Sequence, residues 1–192
     1  AIRLLDPINK IKVFEIDTYH TLYAKTKQFQ KRNISKPDTN IYIPLDFDKE
    51  KIKPKLYDNQ FDTNKKTLSI LEGLTMYLSS SAVAETFELI YDYSAHGSLA
   101  VFDYLYASVL RKDLKYYGES DIYTRVRKDR EQWTFGIEEG DIENYLENFK
   151  FDLIEHLDST NIENKYFQDP SGKAITKVNG THCIVLAKIN KQ

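Results

Sequence analysis

The stretch "TLSILEGLTMYL" (residues 67–78) places a glutamate and a glycine between two short apolar runs. The first run, through Leu71, has the length and composition of a buried strand, and the second begins at Leu74. Glu72 therefore stands where a predicted strand ends. A carboxylate at such a point is either a helix cap or surface acid, or part of a binding site, because ligands of parallel sheets lie beyond the carboxyl ends of the strands.

Two earlier predicted strands also end in acids. "KIKVFEID" (10–17) ends at Asp17, with Glu15 two residues before it, and "NIYIPLDF" (40–47) contains Asp46 near its end. Because the carboxyl ends of parallel strands share one edge of a sheet, we expect Asp17, Asp46 and Glu72 on one rim. On spacing alone, a binding site and ordinary helix caps explain the three acids about equally well.

Strands and helices alternate through the first two thirds of the chain, which predicts an α/β fold with a mostly parallel sheet and helices on both faces. Helical patterns cover residues 18–33, 79–97 and 136–151, and Gly97 is the predicted end of the second helix. Two strands, at 151–157 and 181–189, close the chain. The sequence shows no convincing helix between them, so an antiparallel, hairpin-like finish is predicted.

The composition narrows the class of protein. The 192 residues suit one domain. The net charge of −2 gives no sign of the basic surface that binds nucleic acid, and no apolar run is long enough to cross a membrane. The basic cluster "RVRKDR" (125–130) includes an acid and is interpreted as a solvated face. The single cysteine, Cys183, is predicted to be a buried structural thiol in a cytoplasmic protein. Nothing in the sequence predicts a metal site or an oligomeric state.

Five motifs follow one another along the chain: "VFEID", "IPLDF", "LEGLTMYLSSSAVAETFELI", "GSLAVFDYL" and "WTFGIEEGDIENYLENFKFDLIEHL". Together and in this order they resemble the leucine carboxyl methyltransferase-like family of S-adenosylmethionine-dependent methyltransferases. The match runs almost from end to end of the chain, and "EGLTMYL" followed by a serine-capped helix is its most specific part. The resemblance implies a Rossmann-like class I methyltransferase sheet, mostly parallel with an antiparallel last strand, and S-adenosylmethionine as cofactor.

The resemblance also implies roles for the acids at the strand ends. Asp17, with Glu15 as a possible substitute, matches the acid that binds the ribose hydroxyls, and a carboxylate can accept two hydrogen bonds from a diol. Asp46 and Phe47 match the positions at the adenine. Glu72 matches the glutamate beside the methionine part of the cofactor.

Tyr77 matches the tyrosine that completes the "EGLTMYL" element, and the resemblance puts it near the transferred methyl group as the catalytic candidate. A carboxylate acceptor would need no general base, whereas a hydroxyl acceptor would need one. Surface or structural positions are predicted for His20, His96 and His182. His156, at a predicted strand end, is only slightly better placed to act as a general base.

The chain departs from the family pattern at two places. The glycine-rich cofactor loop is absent, and "AIRLLD" (1–6) resembles the segment that follows that loop. We therefore expect residues 1–192 to be a single methyltransferase domain that is incomplete at its N-terminus, lacking a central strand between those of Phe14 and Ile70. Tyr19 replaces a proline that is common in the family, whereas Lys25 matches it.

The predicted function is methyl transfer to a carboxylate or hydroxyl of a small molecule or protein. The alternative is a non-catalytic binding module with the same fold. A dehydrogenase would require "GxGxxG" after a first strand, and the sequence contains no such motif. Residues 105–132 are expected to contribute to the acceptor pocket, and their Tyr-rich part (113–123) is either a pocket wall or a mobile lid.

Overall fold

The computed structural model describes residues 11–46, 49–123 and 132–191. The chain divides into two compact units, Ala1–Phe61 and Asp62–Gln192. The predictions for Phe47, for the "RVRKDR" cluster and for the first six residues lie outside the described residues.

The first unit contains two strand–helix pairs: β1 (Val13–Asp17), α1 (Tyr19–Lys31), β2 (Asn40–Pro44) and α2 (Ile52–Asp58). β1 and β2 are parallel, and Asp17 lies opposite Pro44. The Thr18 hydroxyl caps α1 by accepting a hydrogen bond from the Thr21 N–H at 3.3 Å. The buried apolar side chains of this unit are Leu22, Ile43, Leu45 and Leu56. Both strands therefore end at the same edge, as predicted.

The second unit holds a four-stranded sheet. Its elements are β3 (Leu68–Leu71), a 3-10 helix (Thr75–Tyr77), α3 (Ser80–Tyr93), β4 (Leu99–Leu105), α4 (Ala107–Leu110), α5 (Ile142–Glu147), β5 (Phe151–Leu157), α6 (Ser159–Tyr166) and β6 (His182–Ile189). The strand order is β3-β4-β6-β5, with β3 parallel to β4 and β6 antiparallel to both neighbours. This topology confirms the predicted α/β class and its antiparallel last strand.

An aromatic cluster forms the centre of the second unit's core. The Phe87 ring of α3 meets Phe102 of β4 edge-on at 5.0 Å and Phe151 of β5 at 5.6 Å, and it lies 5.4 Å from Phe149. Such ring pairs add about 0.5–1.5 kcal/mol to the stabilisation from burial itself. The cluster fixes α3 on one face of the sheet.

The prediction that the β3 run is buried is wrong for two of its side chains. Leu68 is 56% exposed and Ile70 is 64% exposed, whereas Leu71 is buried. Successive side chains of a strand point to opposite faces, and Leu71 points to the face that carries the aromatic cluster. The opposite face, which carries Ile70, also leaves Ile184 exposed within this unit.

The closing strands β5 and β6 pair antiparallel, as predicted, but the prediction that no helix lies between them is wrong, because α6 connects them. This helix begins with a capping box in which the Asp158 carboxylate accepts the Asn161 N–H at 2.7 Å and the Asn161 side chain accepts the Asp158 N–H at 3.3 Å. The segment has little helical hydrophobic pattern, since Ile162 is its one apolar aliphatic residue. The cap is the local signal that starts the helix.

Two predicted helices are shorter in the structure. α3 ends at Tyr93, where Ser94 is extended, and Gly97 has φ +76° within the turn that leads into β4. The glycine therefore closes a turn and is not the end of the helix. α5 spans only six residues of the predicted 136–151, since Ile137 forms a bridge with Tyr106 instead.

Candidate functional site

Asp17 is the last residue of β1. Its Oδ1 accepts the Thr18 N–H at 2.7 Å, and its carbonyl oxygen accepts the Leu45 N–H at 2.9 Å. The carboxylate is therefore held at the N-terminus of α1, where the helix dipole favours negative charge. The described residues supply no partner for Oδ2, which leaves that oxygen able to accept hydrogen bonds from a ligand.

Glu15 lies on the same face of β1, but its carboxylate is ion-paired with Lys25 of α1. The Lys25 ammonium is also 5.8 Å from the Phe29 ring and 5.9 Å from the Tyr42 ring. The negative charge of Glu15 is thus neutralised inside the first unit. Glu15 Oε2 is buried and has no hydrogen-bond partner among the described residues, so each of the two acids predicted for the ribose keeps one oxygen without a partner there; they differ in that the charge of Glu15 is paired with Lys25.

Asp46 follows β2 and belongs to a short turn. Its Oδ2 accepts a hydrogen bond from the Lys49 ammonium at 2.8 Å, and its backbone N–H donates to Glu50 Oε2 at 2.9 Å. A hydrogen bond from Lys55 lowers the pKa of Glu50, and the Asp46 N–H acts in the same direction. The side chains of Asp17 and Asp46 thus follow adjacent parallel strands at one edge of the first unit.

Glu72 follows β3 in the second unit and is exposed. The turn after it is fixed by Asp103 of β4, whose Oδ1 accepts the Gly73 N–H at 2.8 Å. The carbonyl oxygen of Asp103 also accepts the Thr75 hydroxyl proton at 2.5 Å. Gly73 has φ +60°, a conformation that side chains disfavour. Within the described residues, the Glu72 carboxylate itself has no hydrogen bond or ion pair.

Tyr77 ends the 3-10 helix and is 41% exposed. The backbone on both sides of it is tied to Thr134, whose N–H donates to the Met76 carbonyl at 2.8 Å and whose hydroxyl donates to the Leu78 carbonyl at 2.7 Å. Met76 and Leu78 are buried. The Tyr77 side chain therefore projects from a rigid segment, five residues beyond Glu72.

The Tyr-rich segment is organised around a buried carboxylate. Glu119 is 1% exposed and accepts hydrogen bonds from the N–H groups of Leu114 at 3.0 Å and Tyr116 at 3.1 Å, and from the Tyr123 hydroxyl at 2.7 Å. Burial alone would raise the pKa of Glu119, but these hydrogen bonds lower it below its ordinary value. The negative charge is thus satisfied locally and holds this segment in place.

The second unit also contains a buried cluster of polar side chains. His156 Nε2 lies 3.1 Å from the Tyr104 hydroxyl, and burial lowers the pKa of His156. Burial raises the pKa of Cys183 to about 11, so the thiol stays protonated. The prediction of a buried cysteine is confirmed.

Sequence reasoning missed Asp103, which holds the turn after Glu72. The available signal was an acid inside the otherwise apolar strand "LAVFDYL". Within the described ranges, no group of histidine, cysteine and acidic side chains could hold a metal ion. The same residues include no helix long and apolar enough to span a membrane.

Comparisons with solved structures define the class of the fold. A methyltransferase structure from Thermobifida fusca YX matches with a TM-score of 0.61 at 15% identity, covering 94% of this chain and 64% of that one. Magnesium protoporphyrin IX methyltransferase (ChlM) from Synechocystis PCC 6803, solved with bound SAH, matches with a TM-score of 0.52 at 9% identity, covering 93% and 64%. The chain has the class I S-adenosylmethionine-dependent methyltransferase fold.

The family comparison agrees with the motifs. Residues 1–91 match the model of the leucine carboxyl methyltransferase family, which confirms the predicted resemblance over that part of the chain. YktD of Bacillus subtilis (strain 168), which carries the name of an S-adenosyl-L-methionine-dependent methyltransferase, is 29% identical over 96 residues, or 50% of this chain. That match spans only 31% of YktD, so the chain covers about a third of this relative's length.

Proposed function

We propose that this chain belongs to an S-adenosylmethionine-dependent O-methyltransferase, which transfers a methyl group to a carboxylate or hydroxyl of a small molecule or protein. The observation that carries the proposal is the set of carboxylates that follow the strands. Asp17, Asp46 and Glu72 all lie within residues 1–91, which match the methyltransferase family model. We further propose that residues 1–192 are part of one methyltransferase domain.

The chemistry of these side chains fits the cofactor. Asp17 has an oxygen left to accept hydrogen bonds from the ribose hydroxyls. Asp46 and Phe47 would contact the adenine. The Glu72 carboxylate, which has no partner among the described residues, would lie beside the methionine part, where it attracts positive charge. When bound, the cofactor supplies a methyl group on a positively charged sulfur.

The protein's contribution to the reaction is mainly positioning, because methyl transfer is an in-line displacement. Tyr77 projects from a segment that is held by two hydrogen bonds. The Thr134 hydroxyl donates to the Leu78 carbonyl, and the Thr75 hydroxyl donates to the Asp103 carbonyl. The first bond holds the main chain at Leu78 and the second holds the Thr75 side chain against β4, so the position of the segment that carries Tyr77 is fixed. We propose that Tyr77 lines the space where the methyl group meets its acceptor.

Calorimetric titration of the full-length protein with S-adenosylmethionine, and with its demethylated product, tests the proposal. We expect micromolar binding that Asp17→Asn abolishes or strongly weakens. Asp58→Asn is the matched control, because it removes the same charge from an exposed position at the end of α2. A folded protein that binds neither compound would instead favour a non-catalytic module with the methyltransferase fold.

A further inference from the structure

His182 is the first residue of β6. Because β6 runs antiparallel to β4, its beginning lies at the edge where β4 ends, and His182 pairs with Leu105. Asp103 pairs with Ile184, two residues further along β6. Side chains two apart on a strand share a face, so Asp103 and His182 are diagonal neighbours, with α-carbons about 7 Å apart. His182 therefore shares the strand-end edge with Asp103, which holds the turn after Glu72.

Hydrogen bonds around His182 define which ring nitrogen carries the proton. The Thr181 hydroxyl donates its only proton to Asn179 Oδ1 at 2.5 Å. The Thr181 oxygen then acts as acceptor toward His182 Nδ1, which lies 2.7 Å away and must carry the hydrogen. Nε2 is left with a free lone pair, and no described residue forms a hydrogen bond with it. The imidazole is thus held as the tautomer that can take up a proton at Nε2.

The surroundings favour a neutral imidazole. Burial lowers the pKa of His182, and the nearby Asp103 carboxylate opposes that shift only in part. The Trp133 ring packs edge-on against the imidazole at 5.8 Å. The Trp133 Nε1 is buried and has no hydrogen-bond partner among the described residues. His182 Nε2 can therefore accept a proton, the Trp133 Nε1–H has no acceptor among the described residues, and the Trp133 ring packs against the imidazole.

We propose that His182 is the general base for a hydroxyl acceptor, and that the acceptor is a phenol rather than a carboxylate. In this step the acceptor oxygen gives its proton to Nε2, and its electron pair forms the new bond to the methyl carbon. The electron pair of the broken carbon–sulfur bond stays on sulfur. A neutral imidazole matches a phenol, with its pKa of about 10, better than an aliphatic alcohol. This inference rests on the proposed methyltransferase function.

The decisive measurement is nuclear magnetic resonance of the full-length protein with 15N-labelled histidine. We expect the His182 signals, assigned with His182→Gln, to show hydrogen on Nδ1 and none on Nε2 near pH 7. Addition of 4-methylphenol with the demethylated cofactor should shift the Nε2 signal, whereas 4-methylbenzoate should not. An Nε2–H tautomer, an imidazolium ring or an unchanged Nε2 signal with the phenol would overturn the proposal.

Activity provides a second readout. Against phenolic acceptors, His182→Gln should lower kcat at least about 100-fold, the lower end of the contribution that a general base usually makes. His20→Gln, at an exposed position of α1, is the control and should leave kcat unchanged. His182→Gln should still bind S-adenosylmethionine with wild-type affinity. If the unmodified protein did not bind the cofactor, the methyltransferase proposal itself would be rejected. If it bound the cofactor and both variants methylated phenols equally well, only the role of His182 would be rejected.

Discussion

Glu72 and Asp103 show how two acids at one sheet edge differ in what they can do. Asp103 holds the turn with two oxygens, because its carboxylate accepts the Gly73 N–H and its carbonyl oxygen accepts the Thr75 hydroxyl proton. Glu72 lies in the same turn, and within the described chain its carboxylate has no partner. An acid whose charge is not used by the fold is the better candidate for contact with a ligand.

Glu72→Gln should therefore weaken S-adenosylmethionine binding about tenfold, equivalent to ~1.4 kcal/mol, because it removes a negative charge beside a cation. The free energy of unfolding should stay unchanged, since the Glu72 side chain has no hydrogen bond or ion pair in the part of the chain that the structure describes. Calorimetric titration and urea unfolding measure the two quantities. Glu88→Gln, at an exposed position of α3, is the control, and equal affinity of the two variants would contradict the assignment of Glu72.

Glu119 offers a pH-dependent prediction. Its pKa is lowered in the folded state, so its stabilising effect is full above its ordinary pKa of about 4.5 and is lost as the pH falls through the folded value. Glu119→Gln should lower the free energy of unfolding by about 2 kcal/mol near pH 7 and by much less under acid conditions.

Urea unfolding of both proteins across this pH range measures the difference. Glu85→Gln, an exposed acid on α3, serves as the control. If Glu119→Gln lowered the free energy of unfolding by the same amount at every pH, the negative charge of Glu119 would not be the source of the stabilisation.

At the scale of secondary structure, the sequence predicts an element well when its signal is local. Dense apolar runs identify β4, β5 and β6, and the acid that ends β1 and the acid that follows β3 are visible in the sequence itself. α6 was missed because its residues give little periodic signal. The association of Asp103 with His182 depends on the register between β4 and β6, which no local pattern contains.

The capping box predicts how much α6 depends on its first residues. Asp158→Ala removes the acceptor for the Asn161 N–H and should destabilise the protein by about 1 kcal/mol. Asp158→Ser keeps a capping oxygen and should recover most of that loss. Thermal unfolding of the two variants makes the comparison, and equal destabilisation would show that the cap does not account for the effect.

At the scale of the whole molecule, each unit carries its own acids at the ends of parallel strands. The core of the second unit depends on large aromatic side chains, with Phe87 of α3 in contact with rings from both β4 and β5. The hydrophobic content of the sequence correctly predicts that the chain can bury an apolar core. It does not predict which of the ten phenylalanines form that core, because this depends on contacts between distant segments.

Phe87→Ala should lower the free energy of unfolding by about 3–5 kcal/mol, since Phe87 is almost fully buried and its removal leaves a cavity. Phe167→Ala is the control, because Phe167 is an exposed phenylalanine beyond the end of α6. Chemical denaturation measures both variants. A loss of less than about 1 kcal/mol for Phe87→Ala would mean that the core collapses around the missing ring.

The buried thiol of Cys183 in β6 can be used to measure how often the sheet of the second unit opens. Cys183 is the only cysteine of the sequence, it is fully buried, and its thiol is protonated at neutral pH. A thiol-specific dye can therefore label the chain only after β6 is exposed and the thiolate forms. The labelling rate at Cys183 would measure how often the four-stranded sheet of the second unit opens, with no engineered probe.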